Sequence, residues 1–564
     1  MSNLLKQSVQ IYLAVIGLWL GVSPAGADCL SEKGDAFLRH KMTSRPQHGW
    51  ASLIVKHDGE LTPARRASLA ALKADIYRNL SIVGAVALRI PYRNIAALAQ
   101  LPFVQRLSMD VVVERNDEFT VGSSGADVAF GQFALTGAGV TVAVVDSGIK
   151  PHADLGGTKT SRIVASVDLI GAGKNPDPCG HGTHIGGIIA GDGTSSKGPA
   201  YFRTFYGIAR KANLVSVRVL NKKGQGSVSN AIRGIQWVVD NKDAYGIRVL
   251  NLSLGHSVGE SYQTDPLCQA VEAAWNAGIV VVCAAGNNGR AETLQVPELD
   301  NGGFGSALGS VQSPANDPLV ITVGAMKRTV GVRQFDTIAT YSSRGPSRLD
   351  YFLKPDLVAP GNRIISLNAN GSYLDKTYPE TNQVKTSEYT IKGSNTDSAK
   401  YFRLSGTSMA APVVAGAAAL LLEGNPSLTP DTVKARLMIS ADKWGTPQGA
   451  PDLCAYGAGY LNIPAALASA AVATRTANSP VLQRNSDGTV AIDEDNVTWG
   501  TNVIWGVAGI ENLNVIWGSN VIWGSNVIWG SNIIWGSSIW LDNVIWGTGS
   551  GKVDLSTKAI FGER

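Results

Sequence analysis

A chain of 564 residues with 44% apolar content can bury at least one large core, which excludes a disordered protein. Its 49 basic and 44 acidic residues leave a net charge of +5 with no long run of either sign, which excludes a nucleic-acid or other polyanion partner. Cys29, Cys179, Cys268, Cys283 and Cys454 are too few for a disulfide scaffold. Cys283 lies in the apolar run Val280 to Ala284 and reads as a buried thiol, and one disulfide among the others stays open.

Lys6, the apolar run Ile11 to Val22 and the small residues Ala25-Gly26-Ala27 form the pattern of a secretory signal peptide over residues 1–27. The apolar run is too short to span a bilayer, and Asp28 is the wrong neighbour for a lipidated Cys29. Export to the extracellular space, the periplasm or the cell surface is the expectation.

Residues 28–121 read as a small α+β unit. Ala51 to Val55 is expected as a strand, Thr62 to Leu80 as a helix, Ile82 to Ile90 as a strand, Tyr92 to Gln100 as a helix and Val104 to Val113 as strands. A polar stretch, Glu114 to Gly125, is expected to be extended. Residues 122–472 read as an α/β domain: β-branched runs at Val140 to Val145, Leu214 to Val219, Val249 to Leu254, Ile279 to Ala284 and Leu319 to Val323 alternate with helical patterns. That alternation implies a parallel sheet with helices on both faces and chemistry at the strand ends.

Residues 473–564 change character to Ser, Asn and Thr and then to a repeat on Asn-Val-Ile-Trp-Gly-Ser. Trp517, Trp523, Trp529 and Trp535 recur every six residues, so in a strand they share one face, and Gly518, Gly524 and Gly530 supply turns. A β-rich repeat tail that touches a cell surface or self-associates is expected.

Three motifs carry chemistry. The first predicted strand of the large domain ends in Asp146-Ser147-Gly148, His181-Gly182-Thr183-His184 follows, and Gly406-Thr407-Ser408-Met409-Ala410-Ala411-Pro412 opens an Ala- and Leu-rich helix. Singly, Asp146 could cap a turn, His184 could be a core histidine and Ser408 a helix cap. Together, with Val249 to Gly255 and Ala284-Ala285-Gly286-Asn287, they resemble the subtilisin-like serine proteases in kind and in the order Asp, His, Ser.

The resemblance implies a secreted serine endopeptidase that forms an acyl-enzyme on Ser408, with His181 as base, Asp146 as its orienting partner and Asn287 in the oxyanion hole. His184 is implied to be structural. A substrate strand would lie between Ser253-Leu254-Gly255 and Gly224-Gln225-Gly226, with Ala284, Ala285 and Gly286 as one wall of the primary pocket and Gln312 near its floor. An apolar pocket further upstream would involve Leu254, Val228 and Leu267. The unit at 28–121 then resembles the ferredoxin-like inhibitory propeptide of that family, which makes the chain a self-processed precursor.

Glycine in the middle of Ile185-Gly186-Gly187, where the family more often has alanine, is expected to leave extra room around that helix. Cys179, two residues before His181, reads either as a reactive thiol beside the site or as buried filler. No cofactor is required by this chemistry. Structural calcium is common in the family, but Gly191 to Tyr206, with the single acid Asp192, does not match its calcium loop. An α/β-hydrolase esterase is disfavoured because Ala410 replaces the second elbow glycine, and a metalloprotease because no His-Glu-x-x-His helix is present. A binding protein with an inactive protease domain is disfavoured by the intact set Asp146, His181, Asn287 and Ser408.

Overall fold

The computed structural model describes residues 30, 32–34, 38, 42, 49–110, 120–171, 173, 175–290, 306–328, 333–391, 399–444, 452–484, 490–492 and 552–554. The expected signal peptide, residues 111–119 and the tryptophan repeats lie outside these residues. The chain divides into two compact units at about residue 115.

The first unit contains β1 (Trp50–His57), α1 (Pro63–Ala71), β2 (Asp75–Leu80), β3 (Ala85–Pro91), α2 (Ile95–Gln100) and β4 (Val104–Met109). Its sheet runs β2-β3-β1-β4 with every pair antiparallel, which is the ferredoxin-like arrangement. Alternation along β1 buries Ala51, Leu53 and Val55 in one core with Leu69 of α1 and Leu98 of α2. The helix expected over Thr62 to Leu80 is two elements. Thr62 caps its start and Pro63 opens it, but Lys73 takes a left-handed φ of 55°. The Ala74 N–H then closes on the Leu69 carbonyl and the Lys73 N–H on that of Ala70. Glycine normally signals such a stop, and none stands here.

In the second unit, helix α3 (Thr120–Ser124) and helix α4 (Ala126–Gln132) precede the first strand. Thr120 to Ser124 is therefore helical and not extended, with Ser123 and Ser124 buried. The Arg333 Nε–H donates to the Ser123 carbonyl at 2.7 Å and holds this helix to the body of the unit.

The main sheet follows: β5 (Thr141–Asp146), β6 (Ile163–Asp168), β7 (Asn213–Arg218), β9 (Ile247–Leu252), β10 (Val280–Ala284), β11 (Ile321–Lys327), β12 (Thr337–Ile338) and β13 (Leu357–Pro360). Its order is β12-β11-β10-β9-β5-β7-β6, with β13 also on β11. All pairs are parallel except β11 with β12. Every residue of β5 is buried, as a strand covered on both faces requires. The chain leaves β5 towards β6 and β7 on one side and returns to β9 on the other, so β5 stands at the switch point where a crevice opens beyond the strand ends.

Helices α5 (His181–Ala190), α6 (Val228–Asp240), α7 (Pro266–Asn276) and α8 (Thr407–Gly424) pack as two pairs, α5 with α8 and α6 with α7. Of α8, 89% is buried, and an apolar helix of that kind is a core element. Gly186 of α5 faces Ile149 and Leu214 side chains that would lie 3.2 and 3.3 Å from an added Cβ, so its missing methyl is already filled and no extra room remains.

A small sheet, β14 (Ile364–Leu367), β16 (Tyr401–Leu404) and β15 (Gln383–Val384), is fastened to α5 by His184. The fully buried imidazole donates from Nε2 towards the carbonyls of Ile364 and Phe402 at 3.1 and 3.0 Å. Burial, followed by the nearby His181, pulls its pKa down to about 3.

Helix α9 (Pro430–Ile439) brings Lys434 into a fully buried charged cluster with Lys354 and Asp356. Lys434 Nζ donates to the carbonyls of Pro318 and Leu319 and to Ser479 Oγ, while Lys354 Nζ reaches Asp356 Oδ2 at 2.9 Å. Burial alone would raise the Asp356 carboxyl, but Lys354 and Lys434 outweigh it and hold it below the usual range. Ser479 also donates to Asp356 from its hydroxyl and to the Pro318 carbonyl from its N–H. The segment from Ala477 to Leu482 thus packs into this unit, and β17 (Leu482–Arg484) pairs with β18 (Val490–Ile492) beyond it.

Two outcomes follow. Asp356→Asn leaves two buried cations short of a counter-charge and lowers stability by about 3–5 kcal/mol in urea unfolding, whereas a loss below about 1 kcal/mol would show the cluster to be dispensable. For His184, the folded pKa lies below the unfolded one, so the unfolded state takes up the proton first. Stability falls as pH drops from about 6.5 towards 3. His184→Gln should show a pH dependence shallower by close to one proton in that window, and an unchanged slope would remove His184 as its source.

Candidate active site

Asp146 is the last residue of β5 and has no exposed surface. A buried carboxylate must be satisfied by donors, and two supply it: His181 Nδ1 lies 2.9 Å from both of its oxygens, and the Ser147 N–H donates to Oδ1 at 2.6 Å. With Nδ1 facing the carboxylate, the Nε2 edge of His181 is left for a reacting partner.

A second buried carboxylate sets the start of α5. Asp177 accepts from the N–H groups of Gly180 and Thr183, from Thr183 Oγ1 and from Ser147 Oγ, all between 2.6 and 2.8 Å. Burial pushes its carboxyl up against these four hydrogen bonds. Ser147 in turn accepts from the Gly182 N–H at 2.9 Å, so the two carboxylates are bridged through one residue. Gly182 must lack a side chain, because a Cβ there would sit 2.1 Å from the Gly148 carbonyl oxygen. Sequence reasoning did not single out Asp177. It stands three residues before Gly180, the N-cap of α5, and so outside the position where a capping Asp is looked for.

Ser408 is the second residue of α8 and 8% exposed. Its hydroxyl donates to the Ser253 carbonyl at 3.3 Å, and the Ser408 carbonyl accepts from Ser253 Oγ at 2.8 Å. That second bond has a covalent cause. Pro412 has no N–H, so the carbonyl four residues earlier in the helix lacks its usual donor, and Ser253 replaces it. Asn251 Nδ2 donates to the same Ser253 hydroxyl at 3.0 Å and fixes it from behind.

Asn287 is buried at the end of the β10 segment. Its Oδ1 accepts from the N–H of Thr407 at 2.9 Å and from Thr407 Oγ1 at 3.2 Å. A backbone N–H can only donate, so the amide is oriented with its NH₂ group available as a donor beside Ser408. Thr407 Oγ1 also accepts from the Gly286 N–H at 3.1 Å, which links the segment after β10 to the start of α8.

The remaining predicted residues form the surroundings. Gln312 stands against both Gly255 and Gly286: a Cβ on Gly286, whose φ is +106°, would meet Gln312 Cγ at 2.8 Å, and one on Gly255 would meet Gln312 Cβ at 3.3 Å. The Gln312 N–H donates to the Ala285 carbonyl at 3.0 Å. Leu254 and Leu267 are buried in one cluster, with Val228 packed against it. Gln225 and Gly226 lie in β8 (Gln225–Ser227), outside the main sheet, and Gly224 precedes it at a positive φ of 75°.

Cys179 is a free thiol, 1% exposed, and burial with the charges of Asp177 and Asp146 raises its pKa well above the usual range. It is therefore a packed side chain and a poor nucleophile. Cys268, Cys283 and Cys454 are likewise free and buried, so no disulfide forms among these four. The Asp192 carboxylate lies 3.5 Å from Arg162, so its charge already has a partner. Among the described residues no group of three or more His, Cys, Asp or Glu is placed to hold a metal.

Comparison with known proteins agrees with this geometry. The subtilase family matches residues 137–459. Serine protease AprX of Bacillus subtilis is 41% identical over 354 residues, covering 61% of this chain and 70% of that protein. Subtilisin DY of Bacillus licheniformis is 32% identical over 333 residues, covering 58% of this chain and 91% of its own. A solved cold-adapted subtilisin-like serine proteinase is 28% identical, covers 58% of this chain and 90% of its own, and has a TM-score of 0.39. With a family match over more than half its length, the chain belongs to the subtilase family of serine endopeptidases.

Proposed function

We propose that this chain is a secreted, self-processed endopeptidase in which Ser408 attacks the peptide carbonyl, His181 takes and returns the proton, and Asp146 holds the imidazole. The observation that carries the reading is the Asp146 and His181 pair at 2.9 Å, buried at the switch point of the sheet. In it, Nδ1–H is committed to the carboxylate, so Nε2 is the lone pair that can accept the Ser408 proton, and the imidazolium that results is stabilised by Asp146 without a second transfer. The Ser408 hydroxyl turns from the Ser253 carbonyl towards Nε2 when substrate enters, as loosely aligned nucleophiles of unliganded enzymes commonly do. The tetrahedral oxyanion is received by the Asn287 NH₂ group and the Ser408 N–H at the positive end of α8.

Substrate enters as an extended strand between Ser253 to Gly255 and Gly224 to Gly226, which favours unfolded or loop segments of proteins. Ala284, Ala285 and Gly286 form one wall of the primary pocket and Gln312 its floor. The first unit acts as an intramolecular inhibitor and folding aid, removed by the enzyme itself. Because Thr120 to Ser124 is a helix anchored by Arg333, the cut that keeps this helix whole falls before Thr120. The tryptophan repeats of the tail serve attachment or self-association and supply no group to the bond-breaking steps.

Ser408→Ala removes one oxygen from a position that is 8% exposed and should leave the fold intact. Proteolysis should fall by at least about 10³-fold, and the precursor should keep its first unit covalently attached. Residual activity near wild type, or normal maturation of this variant with no other protease present, would defeat the assignment. Gln312→Gly opens the pocket floor, so kcat/KM for a peptide with a large aromatic residue before the scissile bond should rise about tenfold relative to one with alanine. An unchanged ratio would place the floor elsewhere.

A further inference from the structure

Strand β8 is three residues long and stands apart from the main sheet, yet it is paired. Its partner is β19 (Lys552–Asp554), which runs antiparallel to it with Lys552 opposite Ser227, Val553 opposite Gly226 and Asp554 opposite Gln225. These partner residues come from beyond the tryptophan repeats, far along the chain.

The edge that β19 meets is held rigidly from the other side. The Asn221 N–H donates to the Gln225 carbonyl at 2.8 Å, and the Gln225 N–H reaches Asn221 Oδ1 at 3.2 Å. Gly226 is pressed on Val219 so closely that a Cβ would stand 2.6 Å from its carbonyl oxygen. Ser227 Oγ accepts from the Asn230 N–H and so caps α6. Gln225 thus spends its backbone groups inward, and by the alternation of a strand the bonds offered outward are those of Gly226. A preorganised short edge of this kind binds any extended segment through its main chain.

We propose that Lys552–Asp554 occupies the substrate groove as an intramolecular competitor, adding the same strand to Gly226 that an extended peptide substrate would add. The proposal rests on the reading of Gly224 to Gly226 as a substrate-binding edge. Gly226 has one outward edge, so the tail strand and a peptide reaching that far upstream exclude one another. A substrate too short to reach Gly226 is indifferent to the tail. Since the competitor is on the same chain, its effect does not change with enzyme concentration.

The experiment compares three mature enzymes: the full chain, a chain ending at Ser550, and the full chain with Val553→Pro, which removes one strand N–H while keeping the tail. Intactness of the tail is checked by mass spectrometry. Two substrates are used: an extended peptide with at least four residues before the scissile bond, and an acylated single-residue nitrophenyl ester. For the peptide, KM should fall about fivefold or more in both altered forms, with kcat unchanged and the ratio independent of enzyme concentration. For the ester, all three forms should be equal. Equal peptide KM in the three forms, with ester hydrolysis and fluorophosphonate labelling of Ser408 intact, overturns the tail's role alone. Failure of all three to hydrolyse the ester or take the label overturns the peptidase reading and this proposal with it.

Discussion

Asp146 has no contact with solvent, and the organisation of the second unit follows from the need to satisfy it. A carboxylate buried at the end of a fully buried strand is tolerable only where donors converge on it, and a backbone N–H and an imidazole meet that demand. The imidazole must then be held at the start of a helix whose own first N–H groups need acceptors. Asp177 provides these, and Ser147 joins the two carboxylates so that neither can shift alone. The chemistry needs His181 in one tautomer and one orientation. Burial of the charge enforces both before any substrate arrives.

Ser408, the proposed nucleophile, is placed by a different device. Pro412 leaves the Ser408 carbonyl without a helical donor, and the orphaned acceptor draws Ser253 to it. Ser253 belongs to the segment read as one bank of the substrate groove, so a missing N–H inside α8 ties Ser408 to that bank. Asn287 is tied to the same helix start through Thr407. The three parts read as carrying reaction, substrate and developing charge therefore share one rigid reference, the first turn of α8.

Much of this was legible in the sequence, and the reason is local. The parallel strands are short apolar runs bounded by Gly, Asp or Asn, so four of the five expected were placed to within two residues, as at Thr141–Asp146 and Val280–Ala284. The fifth, Leu319 to Val323, ends four residues short of β11, and the short β13 was not expected. The residues Asp146, His181, Asn287 and Ser408 were visible because each sits in a dense motif at the end or start of an element. What escaped depends on partners distant in sequence. Asp177 gains its meaning from Ser147, and Lys434 from Asp356 and Ser479. The stop at Lys73 was hidden because a lysine took a backbone conformation that glycine usually announces. Edge strand β6 was missed for the opposite reason, since its alternating exposure breaks the continuous apolar run that marked its buried neighbours.

The passage from Ala477 to Leu482 has a mechanical meaning. Ala477 is held by Asp431, Ser479 by Pro318 and Asp356, Pro480 by the Leu353 N–H, and Leu482 by the Tyr351 carbonyl. These bonds lie in succession along one stretch of chain and fasten it to three separate segments, at Asp431, at Pro318 and along Tyr351 to Asp356. A pull entering at Arg484 would load them together, as a strap shared among several rivets is loaded, and would be divided between α9 and the loops before it reached the sheet. Asp146, His181 and Ser408 are thereby shielded from traction that enters the unit at Arg484.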